Sequence, residues 1–597
     1  MRLAAQPRGR TKTLAAALAP GLLALVAWAS SLAAIDVHEL GDYGLLPELA
    51  PLWYTALAAL VFGAVACTCA RRPNGWLIAG YVAAVTIVLY ATLPIVADAP
   101  PYPWTYKHIG VTRLIELQGQ VDPSIDIYNR WPGMFALAAA FSELAGLPNP
   151  VSYAQWNEPL FALIDALLVA AIARAITRDV RVAGFAALVF TLGNWVGGQY
   201  FSPQAVAFAL ALVVMLLVLR GLRAGDTQSP RVVAALEHIT RRRQPEHTLT
   251  DRLPWQPATV LAMVLAVYAV VVAAHQLTPY VLLLQVAALV FLAGMRPRWV
   301  VMAMAALAIG YLLPQLDYVE RAYGLLSSAN PFANVARPTD VYELDPVAGK
   351  RFNGRASVLL TFAVWGLSIV AALRLGRIGY ARKALPILSV AFAPVAVLLV
   401  QSYGGEAALR VILFSLAWCA TLIAWAVFTV EPRRLRISAA SVVAVTLAAL
   451  FVPAFHGAAQ LHVVPGGEVR AAERFSVNAP AGSVLVSVAT GFPGSVGPRY
   501  PSLGGRRETV PPNLLDEGDR FRHRPLGTGD VPAVIAAMRA HAPETFLAFS
   551  TTQRRYVETF RLMPRQAIER LERAVAESPD FRLWYATEDA RIYRLRP

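Results

Sequence analysis

Charge is scarce in this sequence: 15% of its 597 residues are Asp, Glu, Lys or Arg, against roughly a quarter in soluble domains. With 57% hydrophobic residues and a mean hydropathy of +0.50, the chain has too little polar surface to cover itself, and much of it must face lipid. Lysine is rarer still, at Lys12, Lys107, Lys350 and Lys383 only, so the basic excess is carried by arginine. The three cysteines, Cys67, Cys69 and Cys419, all sit inside apolar runs, which excludes a disulfide framework or a zinc spacing in the C-terminal part. No Gly-rich phosphate loop, HExxH or GxSxG is present, so the motif-borne chemistries of nucleotide hydrolysis, zinc proteolysis and serine hydrolysis have no footing. Charge inside the apolar runs is almost confined to Asp165, and no internal repeat stands out, which argues against an ion-coupled transporter. The net charge of +15 first suggests a nucleic-acid binder. Its placement in short clusters between apolar runs speaks instead for membrane orientation, with a lipid bilayer and no nucleic acid as partner.

What is present is a series of apolar runs. A span needs roughly 20 such residues. Candidates lie near 14–34, 51–70, 76–97, 156–176, 182–198, 203–220, 257–275, 278–295, 299–314, 357–374, 384–402, 411–430 and 437–455, about thirteen in all. The first, Leu14 to Ala34, is longer than the roughly 7–15 residues of a signal-peptide core and is expected to stay as a span. Arg71-Arg72, Arg178 with Arg181, Arg296 with Arg298, Arg374 to Lys383, and Arg433 to Arg436 all fall in alternate turns on the side of the N-terminus. So does the loop Arg220 to Arg252 with Arg241-Arg242-Arg243, which marks that side as cytoplasmic. Residues 132–146 are apolar but short, and parity lays them along the outer surface. The fold class expected is therefore an α-helical polytopic membrane protein with a small α/β domain at its C-terminus. Its parts are a cytoplasmic N-terminus (1–13), two accessory spans (14–75), a membrane core (76–455) with a long external loop (98–155), and an extracytoplasmic domain (456–597). In that tail, strand-like runs (Ser483–Ala489, Thr545–Ser550, Arg582–Tyr585, Ala590–Leu595) alternate with helical ones (Val531–Ala542, Arg565–Glu577).

The outer loops hold the candidate chemistry. Asp98 ends the third span, where a carboxylate could serve as general base or hold a divalent cation. Lys107, His108 and Arg113 lie on a short amphipathic helix, Trp104 to Gln118, and cations at that depth suit a phosphate head group. Glu116, Asp122, Asp126 and Tyr128 share the loop. Gln204, His275 and Glu406 with Arg410 stand at other outer turns, and together they could ring one outward-facing cavity, with Arg410 or His275 on phosphate and Glu406 orienting Arg410.

The order of these features is distinctive: an inside-to-outside span ending in Asp98, then Tyr102, Lys107-His108, Tyr128, Trp131-Pro132-Gly133 and a surface helix from Phe135 to Gly146, before a span returns. This layout resembles the GT-C superfamily of membrane glycosyltransferases, which includes protein O-mannosyltransferase and aminoarabinose-transferase types. The resemblance runs from about residue 76 to 455, and the Arg- and Ala-rich composition resembles that of actinobacterial membrane proteins. It implies a polyprenyl-phosphate sugar donor, with Asp98 as base and the donor phosphate on Lys107, His108, Arg113 and Arg410. The cavity or acceptor side would draw on Glu116, Asp122, Asp126, Tyr128, Gln204, His275 and Glu406. The acidic pair common at that loop start is here Asp98-Ala99, which leaves metal dependence open. The competing readings are a non-catalytic cell-envelope assembly protein and a flippase for a lipid-linked glycan.

Overall fold

The computed structural model describes residues 8–224, 254–324, 345–399, 406–503 and 511–596; Arg241-Arg242-Arg243 and Gly404-Gly405 lie outside them. Each of the thirteen apolar runs contains a helix among the described residues. They form α1 (Arg8–Leu32), α2 (Pro51–Thr68), α3 (Gly75–Val96), α6 (Asn157–Thr177), α7 (Val180–Gly193), α8 (Pro203–Gly221), α9 (Pro257–Ala274) and α10 (Thr278–Leu292), followed by α11 (Trp299–Leu312), α12 (Ala348–Leu375), α13 (Ala381–Phe392), α14 (Glu406–Phe428) and α15 (Arg433–His456). Between α3 and α6 lie α4 (Trp104–Gln118) and α5 (Gly133–Ala145). Among the described residues, nine helical stretches are long and apolar enough to cross a membrane by length and composition, one of them running from Ala348 through Leu399. The chain is a multi-pass membrane protein. α7 and α10 are apolar but short, at 14 and 15 residues, because Asn194 and Ala293 end them before the predicted limits.

Local sequence sets these boundaries. Asn74, Asp179 and Ser202 each turn a side-chain oxygen onto a backbone N–H of the first turn of α3, α7 and α8. Pro51, Pro203 and Pro257 open helices where their missing N–H is no loss. The basic turns meet at one end of the bundle: Arg181 donates to the carbonyls of Ala70 and Arg71, and Arg433 donates to that of Cys69. Arg374 reaches the carbonyl of Thr429 in the same layer.

The opposite end carries the external loop and the C-terminal domain. α5, at 13 residues, spans about 20 Å, less than a bilayer core of roughly 30 Å. It packs on α4 and against the end of α9, where a Cβ on Gly133 would come within 3.0 Å of the Ala274 backbone. Leu137 and Leu144 on its far side are exposed.

The C-terminal domain opens with α16 (Gly466–Asn478). Its sheet has β1 (Val484–Ser487), β2 (Thr545–Ser550), β3 (Phe581–Ala586) and β4 (Ala590–Leu595) in the order β1-β2-β4-β3. β1 and β2 pair in parallel and the other contacts are antiparallel. Helices α17 (Val531–Arg539) and α19 (Ala567–Glu577) pack Val534, Met538, Leu571 and Val575 on one face. Phe475 of α16 packs on Phe546, Ile592 and Trp584 on the other. Covered on both faces, β1 and β2 bury every residue, which is why they read as unbroken apolar runs. α18 (Thr551–Thr559) follows β2 directly, capped by Ser550, and was hidden in the sequence by its polar composition.

Candidate active site at the domain end of the bundle

Where the helices meet the external loop, a band of polar side chains crosses an otherwise apolar body. Its middle is Tyr102, held at φ 69°, a conformation that costs a non-glycine residue on the order of 1 kcal/mol or more. The Tyr102 hydroxyl donates to Glu158 Oε1 at 2.6 Å, at the start of α6. Its ring stacks on Tyr200 at 5.0 Å and lies 4.6 Å from the His462 imidazole. Burial first, then the nearby Lys350 ammonium, pushes His462 down to about 3, so it is neutral. Lys350, at the start of α12, bonds Asn353 Oδ1 at 2.9 Å and has no carboxylate partner among the described residues.

On the other side Tyr200 stacks on His108 at 5.8 Å. His108 Nδ1 lies 2.7 Å from the Phe201 carbonyl, which can only accept, so Nδ1 carries the proton and Nε2 is a free acceptor. Burial brings His108 down to about 4. His275, which ends α9, has the reverse tautomer. The backbone N–H groups of Leu277 and Thr278 donate to its Nδ1 at 3.2 Å, so Nε2 carries the hydrogen. Burial, with Arg410 and His108 close by, keeps this ring neutral. Arg410 bonds Glu406 at 2.5 Å through Nη2, while its buried Nε has no partner among the described residues.

Beneath this surface several buried polar atoms also lack protein partners among the described residues: Glu158 Oε2, Asp165 Oδ1, Gln199 Oε1 and both ends of the Asn194 and Gln204 amides. An unpartnered buried polar group costs about 1–3 kcal/mol, so their concentration in one band marks a surface suited to hydroxyls, phosphate oxygens or water.

The structure brings five of the sequence-predicted residues to one corner: His108, His275, Glu406 and Arg410, with Gln204 in the first turn of α8 just past the Phe201 carbonyl that holds His108. Others go elsewhere. Asp98 is half exposed, 3.1 Å from His38, and lies beside Gly466 at the start of α16. Lys107 spends its charge on buried Asp126 at 2.8 Å, under the Tyr500 ring at 3.5 Å and 5.9 Å from the Tyr128 ring. Arg113 faces the C-terminal domain, 3.5 Å from Glu473 and 3.4 Å from the Val496 carbonyl. Glu116 sits near the end of α4, its carboxyl raised by partial burial. Asp122 caps a turn by accepting from the Ser124 N–H and hydroxyl. The sequence reading passed over Glu158, Lys350 and His462 as site residues. An acid in the first turn of an apolar span and a lysine in a chain with four were usable signals for the first two; His462 had none.

Among the described residues no three His, Cys, Asp or Glu side chains converge as a metal would require. Asp98, with His38 as its neighbour, does not supply such a set by itself.

No protein-family model matches the sequence, and no curated protein matches it. Among solved structures, the chain is similar to ArnT from Cupriavidus metallidurans bound to undecaprenyl phosphate, at 13% identity and a TM-score of 0.47, over 87% of this chain and 98% of that one. It is also similar to the Archaeoglobus fulgidus oligosaccharyltransferase tethered with an acceptor peptide, at 11% identity and a TM-score of 0.49, over 87% of this chain and 74% of that one. A third similarity, to the arabinofuranosyltransferase AftD from Mycobacteria, has 14% identity and a TM-score of 0.37, covering 83% of this chain and 41% of that one. These are likenesses of fold.

Proposed function

We propose that this chain is a glycosyltransferase that takes its sugar from a polyprenyl-phosphate donor at the outer face of the plasma membrane. The observation that carries the reading is the Arg410 corner. Arg410, whose buried Nε–H has no partner among the described residues, stands within electrostatic reach of a neutral His275, in a bundle with many apolar side chains on its exterior. A phosphate on an isoprenoid chain asks for that combination: charge-assisted donors for the head and lipid for the tail. The end that carries the basic turns faces the cytoplasm in this reading, as the positive-inside bias supports, and the C-terminal domain lies outside.

In this reading the phosphate rests on Arg410, oriented by Glu406, and on His275 Nε2–H. Asp98 takes the proton of an acceptor hydroxyl, and the oxygen attacks the anomeric carbon on the face opposite the phosphate. The carbon–oxygen bond to phosphate breaks with its electron pair on the phosphate, so configuration inverts. Fixed donors at the phosphate act on charge that grows in the transition state. The acceptor is a hydroxyl of an envelope glycan, lipid or protein. Lys107, compensated by Asp126, holds the external loop to the tail instead of binding the donor.

The test is sugar transfer from polyprenyl-phosphate sugars by the purified protein in lipid. Arg410→Gln is expected to lower kcat/KM by roughly a hundredfold, since one transition-state hydrogen-bond donor is worth about 3 kcal/mol. Asp98→Asn is expected to abolish transfer without moving Tm. Wild-type protein that transfers from no such donor would overturn the proposal and leave an assembly scaffold or a flippase.

A further inference from the structure

The C-terminal domain and the membrane body border an open cleft of about 500 Å³, between the loop that joins α1 to α2 and the turn that joins α18 to α19. That volume falls in the range of small-ligand sites, about 300–1,000 Å³. The turn is pinned from both sides. Val347 N–H donates to the Thr559 carbonyl at 2.9 Å, and His523 N–H donates to that of Leu562 at 2.7 Å. Arg561 pairs with Asp345 at 3.0 Å on the rim.

Two observations set the cleft apart. The described residues hold five non-glycine positions with positive φ, and three of them, His523 (54°), Arg561 (52°) and Gln566 (62°), gather in or beside this turn. Side chains in that region cost on the order of 1 kcal/mol each, and such strain collects at ligand clamps. The lining is also balanced: Glu558 and Asp42 supply carboxylates, Arg561 and Arg565 guanidiniums. Arg565 and Asp42 both lie within electrostatic reach of Glu558, acting on it in opposite senses.

That balance selects a ligand class. A phosphate would face two carboxylates, and an ammonium would face two guanidiniums. A hydroxyl both donates and accepts, so acceptors and donors set side by side serve it with no net charge left to balance. We propose that this cleft binds a neutral saccharide segment, at a site separate from the Arg410 corner. The proposal stands whether or not the chain transfers sugar.

The experiment is ligand-observed saturation-transfer NMR with calorimetric titration, on the full chain in lipid nanodiscs and without any donor. The probes are linear mannose, galactose and arabinose oligosaccharides, inorganic phosphate and spermidine. At least one neutral oligosaccharide is expected to bind, with affinity falling about tenfold in Glu558→Gln and in Arg565→Ala, the worth of roughly one charge-assisted hydrogen bond. Phosphate and spermidine are expected not to compete. Failure of all three oligosaccharides to bind, competition by either ion, or unchanged affinity in both variants would overturn it. Arg565 is exposed, so its variant decides the matter should Glu558→Gln lower Tm. Because no turnover is read, failure here is distinguishable from failure of the transfer reaction.

Discussion

The pair Lys107–Asp126 allows a sharp test of which loop residues build the site and which hold it in place. Asp126 is fully enclosed. It accepts from Lys107 Nζ at 2.8 Å, from the Asn129 N–H and Nδ2 at 3.0 and 2.9 Å, and from the Tyr500 hydroxyl at 2.9 Å. Asp126→Leu leaves the ammonium buried against the Tyr500 ring at 3.5 Å, with the Tyr128 ring farther off at 5.9 Å. A cation over an aromatic face is worth about 2 kcal/mol when desolvated, whereas breaking a buried ion pair costs about 3–5 kcal/mol. The single variant should therefore lose about 3 kcal/mol, a fall in Tm of roughly 2–3 °C for a chain of 597 residues. Lys107→Met with Asp126→Leu removes both charges and should lose about 1–2 kcal/mol less than the Asp126 variant, the remainder being the acceptor lost to Asn129 and Tyr500. Thermal unfolding of wild type, both singles and the double closes the cycle, and additive losses would refute the reasoning. The sign of the pH dependence follows from Asp126. Burial opposes its ionisation, but the Lys107 ammonium and the Asn129 donors outweigh burial and hold the carboxyl below its usual range. A carboxyl lower in the folded than the unfolded state contributes stability above about pH 4 and loses it only as pH falls further. The coupling should thus be equal at pH 7 and pH 5. Transfer activity retained in the double variant would separate this structural role from the phosphate-binding role that the spacing suggests.

Three further outcomes are expected. Glu468 is buried in α16, accepting from the Thr552 N–H at 2.7 Å and hydroxyl at 2.6 Å, and burial raises it to about 7. Its folded value lies above the unfolded one, so its contribution is full below about pH 4.5 and is lost by about pH 7; the Tm of wild type relative to that of Glu468→Gln should fall from pH 5 to pH 7 and then level off. A Cβ on Gly110 would stand 1.9 Å from the Ser495 carbonyl oxygen, whereas one on Gly80 meets nothing within 4 Å. Gly110→Ala should cost about 1–3 kcal/mol and loosen the tail from α4, seen as faster proteolysis between Gly491 and Tyr500, while Gly80→Ala should be neutral or stabilising by up to about 1 kcal/mol. Tyr102→Phe removes the one protein donor to Glu158 among the described residues and should lower stability by about 1–3 kcal/mol; an unchanged Tm would show that Glu158 does not depend on it.

The fold was more legible than the site, and the residues show why. Hydrophobic runs located the helices of the bundle, nine stretches of which among the described residues are long and apolar enough to span, because such a run is a local pattern that any window can read. The arginine clusters gave the shared end of the bundle for the same reason. The α4 limits agree with the sequence reading, Trp104 to Gln118, and Gly119 in the left-handed conformation ends the helix. The site depends on pairings across sequence. Arg113 meets Glu473 across 360 positions, and the Tyr102 hydroxyl meets Glu158 across 56. No local pattern distinguishes a cation that is free to bind from one already compensated. Lys107 and Arg410 look alike in the sequence, each a base near the outer boundary. The first is matched by Asp126, while the second keeps its Nε–H without a partner among the described residues after its bond to Glu406. The difference that matters for binding phosphate is which hydrogen-bonding groups are left over once the chain has folded, and the tertiary fold alone sets it. By that measure the chemistry concentrates at Arg410, His275 and the His108 Nε2, three groups from three separate helix ends, and it is there that substitution should cost turnover before it costs stability.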